Sequence, residues 1–168
     1  MGLLVVGSVA LDAVETPFGR TDGAIGGSAV FFAAAGSLLH PVQMVGVVGR
    51  DYPMADLERI AKRGIDLTGV SVADGESFRW AGRYGFDLST RETLETRLGV
   101  FADFRPKIPP AFRDAKYVFL GNIDPVLQRE EPAPNPARKR RSGDATSRQY
   151  DSVWRNATPR VEFNGAGR

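Results

Sequence analysis

The sequence predicts an open α/β sheet of the Rossmann type that carries a small antiparallel β lid and is followed by a disordered C-terminal tail. Three observations predict it. Nearly continuous apolar runs alternate with helical segments, a middle stretch alternates in character between polar turns, and Leu, Ile and Met vanish altogether after Gln128. Continuous apolar runs mark strands buried on both faces of a parallel sheet, whereas alternation marks strands with one wet face.

Residues 3–7 form the first apolar run and 42–48 the second, each bounded by Gly or Pro. Between them, 28–39 is Ala-rich and too long for a strand, so the order is strand, helix, strand. A second helix is expected over 54–63, where Leu57, Ile60 and Ala61 share one face and Gly64 supplies a stop. Residues 116–121 complete the core strands. This alternation implies right-handed crossovers and a ligand crevice at the strands' carboxyl ends. From 69 to about 101 the pattern changes: 70–72, 78–86 and 94–100 read as short antiparallel strands, a lid that would exclude water from that crevice, or else a sheet extension or dimer surface. Residues 1–128 are thus expected to fold and 129–168 to form a disordered basic tail, because the latter cannot build a core.

Composition narrows the function. The 168 residues include no cysteine and one histidine, His40, which leaves little for thiolate or histidine metal sites or a His-based triad. No basic n-region precedes the first strand, and the longest greasy stretch, 29–39, is far short of the roughly 20 residues of a membrane span. A soluble, cytoplasmic protein without membrane partners is expected. The net charge of +2 misleads: residues 1–128 hold 13 Lys/Arg against 15 Asp/Glu, and 129–168 hold 9 against 5. The basic excess lies in the tail, so nucleic acid is not expected as a partner.

Asp12 follows the first buried strand, where an open sheet meets its ligand. A carboxylate there can accept two polyol hydroxyls through charge-assisted bonds of roughly 1.5–3 kcal/mol each. Gly26-Gly27 opens the first helix and allows close backbone approach, with helix N–H groups available to ligand oxygens. Either feature alone is an ordinary loop feature; their order along the chain gives them weight. That order, Leu4-Val5-Val6-Gly7-Ser8-Val9-Ala10-Leu11-Asp12, then Gly26-Gly27-Ser28-Ala29, then Val45-Gly46-Val47-Val48-Gly49-Arg50-Asp51, resembles the N-terminal half of the ribokinase-like, or PfkB-type, carbohydrate kinases. Phe119-Leu120-Gly121-Asn122-Ile123-Asp124-Pro125 fits the strand and turn that follow the lid in some members.

The resemblance implies phosphorylation of a sugar or nucleoside hydroxyl by ATP with Mg²⁺. It assigns substrate binding to Asp12, Gly26, Gly27 and Asn122, sets lid residues such as Trp80 or Arg83 over the substrate, and allows a homodimer through the lid. The sequence departs from the family twice. Many members carry Asn where Phe31 stands. The family's catalytic base is an Asp in a C-terminal Gly-Ala-Gly-Asp turn, whereas these residues offer only Gly165-Ala166-Gly167-Arg168, and arginine cannot act as a base. A truncated or frameshifted kinase fragment, inactive alone and not itself binding ATP or Mg²⁺, is therefore expected, with a non-catalytic sugar-binding module as the alternative. A dinucleotide-binding Rossmann protein fits poorly, since Gly7-Ser8-Val9-Ala10-Leu11-Asp12 lacks the Gly-x-Gly-x-x-Gly fingerprint.

Overall fold

The structure, a computed structural model, describes residues 2–125 and 127; the tail expected over 129–168 lies outside the described residues. In chain order the elements are β1 (Leu3–Val6), β2 (Ala10–Thr16), β3 (Gly19–Gly26), α1 (Ser28–Gly36), β4 (Val42–Gly49), α2 (Met54–Ala61), β5 (Ile65–Ala73), β6 (Phe78–Tyr84), β7 (Arg91–Arg97) and β8 (Tyr117–Leu120). Short 3-10 turns lie at Gly99–Phe101 and Pro110–Phe112.

The apolar runs become a four-stranded parallel sheet in the order β5-β4-β1-β8. Strand alternation explains why they had to be continuous. In β4, Val42, Met44 and Val48 join one buried cluster, while Val45 and Val47 join another on the opposite face. The first face is covered by α1 through Ala29, Val30 and Ala33 and by α2 through Leu57. Small residues on α1 let that helix lie close to the sheet. The second face is covered by the 3-10 turns and loops before β8, where Phe104, Phe112 and Ala115 are buried. Full burial of side chains of this size stabilises by roughly 1.5–3 kcal/mol each, so both layers matter to the fold.

A second sheet, ordered β3-β2-β6-β7, forms the lid. Here the structure departs from the expected boundaries in two ways. Residues 70–72 belong to β5, paired in parallel with β4 through Val70–Gly46 and Val72–Val48, and are part of the main sheet. Half of the lid comes instead from β2 and β3, which precede α1, and β2 pairs with β6 in parallel inside an otherwise antiparallel sheet. The helices also end earlier than expected, at Gly36 and Ala61.

One buried serine fastens lid to sheet. The Ser77 hydroxyl, fully enclosed, accepts the Gly49 N–H at 2.9 Å and donates to Asp51 at 2.7 Å, and the Ser77 N–H donates to the same carboxylate at 2.8 Å. Arg79 closes the other side of Asp51 at 2.5 Å. Partial burial opposes the Asp51 charge, but the Ser77 donors and Arg79 outweigh it and hold the carboxyl below its usual range. Ser77→Ala strands the Gly49 N–H and part of Asp51, and should cost about 2 kcal/mol in urea unfolding without changing the slope of the transition.

Candidate functional site

Two serines from distant parts of the chain set the site's geometry. The Ser8 N–H donates to Ser28 Oγ at 3.2 Å, the Ser28 N–H donates to Ser8 Oγ at 3.0 Å, and the two hydroxyl oxygens lie 3.0 Å apart. Asn122 N–H adds a bond to Ser28 Oγ at 2.8 Å, and Ala29 N–H donates to the Ser8 carbonyl at 3.0 Å. The end of β1, the start of α1 and the turn after β8 are thereby tied to one hydroxyl. The space is tight. A Cβ on Gly7 or Gly121 would fall 2.8 or 2.6 Å from Ser28 Oγ.

Gly27 is the turn that makes this possible. Its φ of 101° lies in a region that side-chain-bearing residues avoid, and a Cβ there would strike the Ser8 carbonyl. Gly26, buried at the end of β3, has a different role: the space its side chain would fill is occupied by the Asp12 carboxylate. Asp12 itself lies within β2, flanked in register by Ala24 of β3 and Trp80 of β6, and is not in a loop beyond the first strand as the sequence suggested.

The four residues assigned from sequence therefore converge on the α1 N-terminus, Asp12 over Gly26, Gly27 at the helix start and Asn122 tied to Ser28. The helix N–H groups differ from expectation, because those of Ser28 and Ala29 are already taken by Ser8. Asp12 is what the site leaves open. Half-buried, its carboxylate has no hydrogen-bond or ion-pair partner among the described residues, and burial pushes its pKa up.

Trp80, as register partner of Asp12, shares its face of the lid sheet, with the Arg91 guanidinium 5.5 Å from the ring centroid. Arg83 is engaged inside the lid, bonded to Glu15 at 3.0 Å and close to Glu92 at 3.6 Å. Phe31 stands exposed on α1. Ser8 and Ser28 were missed by sequence reasoning, although each follows a glycine at the end of a predicted strand or the start of a predicted helix.

The ribokinase of Cryptococcus neoformans in complex with ADP matches over 76% of this chain with a TM-score of 0.61 at 18% identity. The adenosine kinase of Sinorhizobium meliloti matches over 70% with a TM-score of 0.56 at 17% identity. The described chain has the ribokinase-like kinase fold. A nucleoside kinase of Burkholderia thailandensis, in complex with inosine, matches over 58% with a TM-score of 0.51 at 23% identity. The chain spans only 42%, 46% and 37% of these three proteins respectively. No protein-family model and no curated protein matches the sequence.

Among the described residues no group of three or more His, Asp or Glu side chains could hold a metal ion, and the sequence has neither a Gly-Ala-Gly-Asp turn nor a Walker-type loop. No helix among the described residues is long and apolar enough to cross a membrane.

Two variants separate scaffold from site. Ser28→Ala removes the acceptor of two N–H groups and should cost about 2 kcal/mol, a fall in melting temperature of about 4–8 °C by calorimetry. Asp12→Asn should melt at the same temperature as the native chain or higher. Because the Asp12 pKa is raised in the fold, protonation favours folding, and stability falls as pH rises from the ordinary aspartate value through the raised one. Melts across that window should lose this dependence in the Asn variant.

Proposed function

We propose that this chain supplies the acceptor half of a sugar or nucleoside kinase site, in which Asp12 accepts two vicinal hydroxyls of a ribose-like ring. The single observation that carries this reading is the half-buried, unpartnered Asp12 carboxylate set over Gly26 beside the α1 N-terminus. A carboxylate kept partly from water and left without a donor favours a ligand that brings its own, and a vicinal diol brings two in the spacing of the carboxylate oxygens. Gly26 leaves the room for it. Trp80, on the same face of the lid as Asp12, offers a flat apolar surface to the ring or to an attached base.

The similar proteins support this choice of ligand, since the Burkholderia enzyme holds inosine and the others are a ribokinase and an adenosine kinase. In a complete site ATP would supply the phosphoryl group. On this reading these 168 residues bind the acceptor and do not transfer phosphate alone, because the Gly-Ala-Gly-Asp turn that carries the family's base is not among them and losing such a base costs roughly 10²–10⁴-fold. Phe31, at the position where many members of the family carry Asn, argues against free ribose as the preferred ligand.

Calorimetric titration with ribose, adenosine and inosine tests the reading. At least one should bind to the native chain and none detectably to Asp12→Asn, with no ADP released when ATP and Mg²⁺ are added. Binding should weaken as pH falls through the raised Asp12 pKa, at a higher pH than an ordinary aspartate near 3.9 would give. Equal binding by both proteins would sink the assignment.

A further inference from the structure

Arg91 is the one lid arginine that has no carboxylate partner among the described residues. Arg20 is paired with Asp22, Arg79 with Asp51, Arg83 with Glu15 and Arg97 with Glu95. The Arg91 guanidinium instead lies 5.5 Å from the centroid of the Trp80 ring. Register puts it on the Asp12 side of the lid. Trp80 pairs with Asp12, Trp80 and Tyr84 fall on one face of β6, and Tyr84 pairs with Arg91. Arg79, Arg83 and Arg97 fall on the other face, in register with Leu11 and Glu15. Gly82, between Trp80 and Tyr84 on the first face, is buried, and a Cβ there would run into the Trp80 ring. The indole therefore leans along β6 toward Arg91, and a carboxylate, a flat ring and a cation follow one another along one face.

We propose that Arg91 fits this site to a sugar phosphate, whose vicinal hydroxyls bond Asp12 and whose phosphate takes the Arg91 guanidinium. The Trp80 ring lies against the sugar carbons between them. This rests on the acceptor-half reading given above and narrows its substrate class. A guanidinium presents a planar fork of donors that matches two phosphate oxygens. Arg91 is exposed, as is all of β7, so its long side chain is free to swing from the ring to a ligand.

The relative strengths of the contacts favour this pairing. An exposed cation–π contact is weaker than a forked, charge-assisted bond to phosphate, so an arriving phosphate draws the guanidinium off the ring. At the other four arginines a phosphate would first have to displace a carboxylate. The charges also orient the ligand. Asp12 repels a phosphate and Arg91 attracts it, so the diol turns to the one and the ester to the other.

Calorimetric titration of the full chain and of Arg91→Gln with ribose, ribose 1-phosphate and ribose 5-phosphate tests this, since both esters keep the vicinal diol. At least one ester should bind the native chain about tenfold more tightly than ribose, and Arg91→Gln should bring that ratio close to one. Arg91→Lys, which keeps the charge and loses the fork, should retain part of the ratio. Esters that bind no more tightly than ribose, or a ratio that survives in Arg91→Gln, overturn the inference while the acceptor-half reading stands. A native chain that binds none of ribose, adenosine, inosine and the two esters overturns both.

Discussion

The Ser28 hydroxyl is the point on which the rest of the arrangement depends. It accepts N–H bonds from Ser8 and Asn122, residues 20 and 94 positions away, and lies against the Ser8 hydroxyl. Three chain segments that would otherwise end as separate loops are thereby held at one helix terminus. The close approach demands the glycines around it, and Gly27 in turn sets the direction in which β3 arrives. Since Gly26 follows from that direction, the place of Asp12 is an indirect consequence of one serine.

The lid and the site are accordingly a single construction. β2 carries Asp12 in its middle and pairs with β3 on one side and β6 on the other, so the strand that presents the carboxylate is the central seam of the lid. The Ser77–Asp51 cluster then fastens the start of β6 to the end of β4. Movement of the lid relative to the main sheet would move Asp12 with it. The fold accepts a desolvated, unpaired carboxylate at this point, a local loss of stability of the kind found where a ligand completes the structure.

The main sheet was legible because β4 and β1 are buried on both faces, which forces long apolar runs that few other structures need. Gly26 and Gly27 were legible because they sit where β3 ends and α1 begins, whereas Asp12 was legible only through its order in the chain. The lid was only half legible. Ala10–Thr16 and Gly19–Gly26 mix small and charged residues over a half-exposed surface, so neither continuous hydrophobicity nor clean alternation marks them as strands. The sequence marks only 70–72 of β5 as a strand, and places them in the lid. In the fold a Cβ on Gly69 would fall 2.6 Å from the Met44 carbonyl oxygen and 2.7 Å from the Val45 side chain, next to a shift in register. Ser8 and Ser28 carried no signal because a serine bonded across 20 residues looks like any serine after a glycine.

The fold holds Asp12 half-buried and, among the described residues, without a hydrogen-bond or ion-pair partner. NMR titration of its side-chain carboxyl carbon, in the free chain and with saturating adenosine, measures this most directly. A pKa above the ordinary aspartate value of about 3.9 is expected in the free chain, falling when hydroxyl donors arrive. An ordinary value in the free chain, unmoved by the ligand, would contradict it.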